Sequence, residues 1–183
     1  MSKYRIEMYE KEIAVEEYLE GYVAVEEFIE YCKACPNYGN IWTCPPYDFD
    51  VISLWKKYTN LKMFARKIIF EPDITQEESM EIMYEVKDDM SRQLFALEAE
   101  NPGSLSLSAG SCTICGKGNC TRPSGEPCRH EEKMRYSIES LGGNVGLTCR
   151  KLMGLPLEWI EEGKVPSYFV LCAGLLMGKQ ENE

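Results

Sequence analysis

The segment from Gly110 to His130, GSCTICGKGNCTRPSGEPCRH, constrains this chain more than any other stretch. It sets Cys112, Cys115, Cys120 and Cys128 at the spacing C-x2-C-x4-C-x7-C, in a run too rich in Gly, Pro, Ser and Thr to be a helix or a strand. Four thiols on one irregular loop can converge on one metal centre. A second cluster lies upstream in CKACPNYGNIWTCPP, where Cys32, Cys35 and Cys44 repeat the C-x2-C opening and end on Pro45-Pro46. The sequence therefore reads as a scaffold for one or two metal sites.

The redox setting decides how those thiols are read. The N-terminus, MSKYRIEMYEKEIAVEE, lacks the charged, apolar and small-residue pattern of a secretory leader, so a cytoplasmic chain is expected. In a reducing compartment, closely spaced cysteines are metal ligands or redox groups in preference to bridges, and the odd total of nine agrees. At 183 residues and 44% hydrophobic, the chain can bury a core without staples, and a single metal-binding domain over residues 1–183 is expected. It contains no apolar run of about eighteen residues, so no membrane span is expected. A net charge of -10 argues against non-specific nucleic-acid binding. Residues 112–151 run against that balance, with seven basic residues (Lys117, Arg122, Arg129, Lys133, Arg135, Arg150, Lys151) and four acidic ones (Glu126, Glu131, Glu132, Glu139). That local excess is either surface scatter or compensation for gathered thiolate charge.

Hydrophobic periodicity places the elements. Residues 4 to 15 alternate as a first strand, and a short helix follows. Val25, Phe28, Ile29 and Cys32 recur at helical spacing, which puts the first cysteine at a helix end. A short helix is expected from about Phe49 to Tyr58, and a strand from Lys62 to Phe70. Thr75 and Glu78 form a capping-box pattern ahead of Met83, Val86, Met90, Leu94 and Leu97, and Asn101-Pro102-Gly103 stops that helix. A short strand at Leu105 and Leu107 delivers the chain into Cys112. Met134, Ile138 and Leu141 predict a helix ended by Gly142-Gly143. Asn144 caps another helix carrying Cys149 and Leu152, and Pro156 opens a brief helical turn closed by Gly163. The last strand, Tyr168 to Met177, is apolar on both faces and belongs at the centre of the sheet. The whole predicts an α+β domain with a roughly four-stranded mixed sheet and two cysteine-rich loops, with a parallel α/β arrangement as the alternative.

Ligand type and number favour iron–sulfur chemistry, with one or two 4Fe-4S clusters, since such clusters are held by thiolates on Gly- and Pro-rich loops. The spacing differs from the compact bacterial ferredoxin run, so this reading rests on ligand count and loop character. Zinc is the alternative. Cys112-x-x-Cys115-Gly116 resembles a zinc knuckle, and a ribbon of Cys32, Cys35, Cys112 and Cys115 would leave Cys44, Cys120 and Cys128 without a role. Three cysteines upstream leave a fourth iron position to Cys149 or to an outside ligand. Cys172, in an apolar strand, reads as core, as does Cys149 on an apolar helix face. His130, the one histidine, reads as a loop residue before it reads as a base.

The pieces CKACPNYGNIWTCPP, GSCTICGKGNC and EPCRHEEKMRYSIESLGGNVG together resemble the bacterial and archaeal domain of unknown function 2284 family, predicted metal-binding proteins. The resemblance spans nearly the whole chain. It implies that Cys32, Cys35, Cys44, Cys112, Cys115, Cys120 and Cys128 are the metal-binding set, together with the Pro-Cys-Arg-His segment, while Cys149 and Cys172 match no cysteine of the pattern. It implies no reaction. Three functional classes follow: an iron–sulfur electron-transfer or accessory protein docking on a redox partner through its basic segment, an iron–sulfur enzyme with an open iron position in the manner of desulfidases and dehydratases, or a zinc-stabilised interaction module.

Overall fold

The computed structural model describes residues 3–158 and 164–178. Four strands, β1 (Tyr4–Ala14), β2 (Asn60–Phe70), β3 (Leu105–Leu107) and β4 (Tyr168–Met177), form one sheet in the order β1-β2-β4-β3. Among the described residues five α-helices accompany them: α1 (Val15–Tyr22), α2 (Val25–Lys33), α3 (Val51–Trp55), α4 (Gln76–Glu100) and α5 (Val145–Met153). This is the expected α+β class with four strands.

The sheet is antiparallel throughout where a mixed one was expected. The reason lies in the connections. Helices α1 to α3 form an excursion that returns to the sheet end it left, so Ala14 pairs with Asn60 and the Val15 N–H donates to the Thr59 carbonyl at 2.8 Å. Helix α4 then carries the chain back so that β3 runs in the same direction as β2. Strand β4 lies between those two and opposes both, with Gly174 opposite Met63 on one side and Leu107 on the other.

Alternation along β2 sorts the core. Leu61, Met63 and Ala65 enter one cluster with Tyr18, Trp55, Ile138, Cys149 and Cys172, while Ile68 and Phe70 enter another with Val86 and Phe169. Helices therefore cover both faces, α4 on one side and α1, α3 and α5 on the other. Helix α4 begins at the expected capping box, in which the Glu78 N–H donates to Thr75 Oγ1 at 3.2 Å and the Thr75 N–H to Glu78 Oε2 at 3.0 Å. Its buried stripe includes Val86, Met90 and Leu94, as the periodicity predicted.

One expected helix is absent. Between Met134 and Gly143 the chain makes only a short 3₁₀ turn, Glu139–Leu141, after another at Glu131–Lys133. The backbone groups a helix would need are used elsewhere. Ser108 N–H donates to the Tyr136 carbonyl at 2.8 Å, and the Ser137 and Ser140 amides each donate to the other's hydroxyl oxygen at 3.1 Å. Gly142 then takes a φ of +80°, and a Cβ there would fall 2.8 Å from the Val25 Cα, so only glycine lets α2 lie against this turn. The helical turn expected from Pro156 to Gly163 lies largely outside the described residues.

Candidate metal centre

The two cysteine loops, far apart in sequence, are joined into one lobe. Upstream, Cys32 ends the half-buried apolar stripe of α2, Cys35 is exposed just past the helix, and Cys44 is buried. The chain between them is a series of turns closed by the Gly39 N–H donating to the Pro45 carbonyl at 2.8 Å. Downstream, Cys112 to Cys128 are irregular. Thr113 accepts from the Gly116 N–H at 3.0 Å, and Gly116 has a φ of +78°, the glycine turn expected after a C-x2-C pair.

Polar side chains stitch these loops together. The Arg122 guanidinium donates to the carbonyls of Ile41 (2.7 Å), Cys44 and Pro46. Two buried threonines act in the same way: Thr43 Oγ1 accepts from the Cys112 N–H at 3.2 Å, and Thr121 Oγ1 accepts from Trp42 Nε1 at 3.2 Å while donating to the Pro127 carbonyl at 2.9 Å. Asn37 reaches Ser111 Oγ at 3.2 Å. Arg135 pairs with Glu98 at 2.6 Å and anchors the far end of the lobe to α4.

Cys112, Cys115, Cys120 and Cys128 line one cavity of about 870 Å³, with His130 and Trp42 on its wall. Among the described residues, no three Cys, His, Asp or Glu side chains stand close enough to hold a metal as they are. Thiolate sites on irregular loops are seldom preformed without the ion. The thiols here also oppose one another's ionisation. Burial pushes the Cys112 thiol up, and Cys128 and Cys115 push it further by like charge. Burial likewise raises Cys44 to about 11, with added repulsion from Cys35 and Cys32, and raises Cys32 with repulsion from Cys35 and Glu139. Burial and like-charge repulsion of this kind disfavour the thiolate forms of Cys32, Cys44 and Cys112. Their number, softness and mutual repulsion fit a thiolate-bound metal.

Cys149 and Cys172 sit elsewhere. Both are buried in the main core, Cys149 on α5 and Cys172 on β4. Two charged residues at the site escaped the sequence reading. Lys87, buried on α4, donates to the Ser111 carbonyl beside Cys112, and its position four residues after Met83 on the apolar stripe was the available signal. Glu139 lines a second cavity of about 220 Å³ with Cys32, Pro45 and Tyr47, and its place between Ile138 and Leu141 marked it in the same way.

The fold and this lobe define a cysteine-rich α+β protein with two groups of free thiols set side by side. The chain belongs to the DUF2284 family, described as predicted metal-binding protein, whose model matches residues 19–177. No curated protein matches the chain, and no solved structure does. Among the described residues no helix is long and apolar enough to cross a membrane.

Proposed function

We propose that the two loops carry iron–sulfur clusters and that the protein is an electron-transfer or accessory protein of the cytoplasm. Cys112, Cys115, Cys120 and Cys128 would hold one cluster, and Cys32, Cys35 and Cys44 would contribute to a second. The observation that carries this reading is the gathering of seven thiols in one lobe, four of them around a single cavity of about 870 Å³. A structural zinc ion takes four donors, so a zinc ribbon leaves three of these seven unused. Bound clusters supply one-electron chemistry. The chain's own residues would tune and shield them. Burial lowers the Lys87 pKa and Cys112 opposes that, so a thiolate there would hold the ammonium charged and be offset by it. Trp42, Tyr47 and Phe49 exclude water from the upstream loop. Lys117 and Arg129, both exposed on the downstream loop, offer a docking surface for an acidic redox partner.

A second reading, an iron–sulfur enzyme with an open iron position, is favoured by one feature. Beside Cys112 lies a cavity of about 210 Å³ whose charged lining is Lys87, Lys133 and Arg135 against Asp88, a net positive set suited to an anionic small molecule. Protein purified without oxygen tests the shared premise. It should be brown, with a broad visible absorption that bleaches on reduction. A colourless preparation that stays colourless after anaerobic incubation with iron and sulfide overturns both readings.

A further inference from the structure

The upstream loop offers three thiols where a cubane cluster takes four ligands. Cys149 cannot serve without leaving the core, since it is fully buried against Cys172 on the other side of α5 from solvent. Another donor lies closer. Helix α2 rests along the Glu139–Leu141 turn, held by the Ala24 N–H donating to the Gly142 carbonyl at 2.9 Å and by the close approach of Val25 to Gly142. Cys32 lies seven residues beyond Val25 on the same stripe, and it shares with Glu139 the cavity of about 220 Å³. The Glu139 Oε2 in that cavity is covered from solvent and has no hydrogen-bond partner. A covered carboxylate oxygen without a hydrogen bond is costly, and in a folded protein it calls for a partner such as an ion.

We infer that Glu139 is the oxygen donor that completes the Cys32, Cys35 and Cys44 set, binding the iron that no cysteine reaches. The inference rests on the proposed reading that these cysteines hold an iron–sulfur cluster. Carboxylate oxygen is a harder ligand than thiolate, so this iron is the one most readily lost or exchanged. Its neighbours, each held by sulfur, are retained. The site thereby gains one distinct, ligand-accepting iron while remaining fully ligated at rest.

The test uses the full chain, reconstituted anaerobically with iron and sulfide, in four forms: wild type, Glu139→Gln, Glu139→Cys and Cys149→Ser. Iron and sulfide are counted per chain, and paramagnetic resonance and Mössbauer spectra are recorded on each. The expected result is that Glu139→Gln loses roughly one iron of the four in one cubane and shows a three-iron signal. Glu139→Cys should recover that iron with an altered, all-sulfur spectrum, and Cys149→Ser should match wild type. Unchanged iron content and spectra in Glu139→Gln overturn the inference. So does loss of both clusters together with the thermal transition in both Glu139 variants, which would mark a folding role. Wild type that takes up no sulfide fails at an earlier step and removes the cluster reading itself.

Discussion

Arg122 is tied to the loop of Cys44, a partner 78 residues earlier, through a guanidinium that donates to the Cys44 carbonyl and to those of Ile41 and Pro46 on either side. The same guanidinium lies 5.4 Å from the Trp42 ring. One side chain from the downstream cysteine loop thus fixes the backbone of the upstream one. A planar fork with several donors can meet three carbonyls at once, which a lysine cannot.

Arg122→Ala should therefore destabilise the protein by about 2–3 kcal/mol, the range for losing charge-assisted hydrogen bonds to partly buried carbonyls. It should also speed metal release to a chelator from both loops. Arg122→Lys should recover less than half of the loss. Chemical denaturation and chelator kinetics on the two variants check this, and a lysine variant equal to wild type would contradict the clamp.

The anchor at the other end of the lobe is sensitive to acid. Burial raises the Glu98 carboxyl, but hydrogen bonds from Arg135 and from the Ser106 hydroxyl and amide outweigh it and hold the group below the usual carboxylate range. A depressed folded value means that the stabilisation is present above the unfolded carboxylate pKa and is lost as pH falls through the folded one. Glu98→Gln should cost about 1–3 kcal/mol near neutrality. The gap between variant and wild type should close as the pH drops below the ordinary carboxylate range. Thermal melts from about pH 7 down to about pH 2, past the reference carboxylate values of roughly 4, read this directly, and a gap that is constant with pH would rule out the ion pair as its source.

Much of the scaffold was legible because its signals are local. The capping box at Thr75 and Glu78, the apolar stripe of α4 and the double-faced apolar run of β4 each depend on residues within a few turns of one another. The loops were legible as places where thiols gather. What was not legible were the long-range bonds that make one lobe of two loops. Thr43, Thr121, Arg122 and Lys87 carry no sequence signature of these partners, which lie 24 to 81 residues away. The helix expected through Ile138 failed in part for the same reason, since Ser108 takes the Tyr136 carbonyl from across the chain, while Ser137 and Ser140 take each other's amides locally. The sheet's direction turned on where β4 inserts, which periodicity does not encode.

Cysteines in the two settings should respond oppositely to metal. Cys172 is 3% exposed in the core, where a serine hydroxyl lacks a good partner, so Cys172→Ser should cost about 1–3 kcal/mol with or without metal. Cys115 is half-buried on the downstream loop, and Cys115→Ser should cost little in the metal-free protein and much more in the loaded one. Melting curves of both variants, each with and without metal, show whether the order reverses. The same order in both states would mean that the loop thiols do not couple metal to folding.

The central claim, that these thiols hold iron–sulfur clusters, is tested most directly by counting iron, acid-labile sulfide and zinc in protein purified without oxygen. The account predicts iron and sulfide in near-equal amounts, roughly four of each per cubane, with zinc absent. One zinc per chain with no sulfide, unchanged after anaerobic reconstitution, would contradict it.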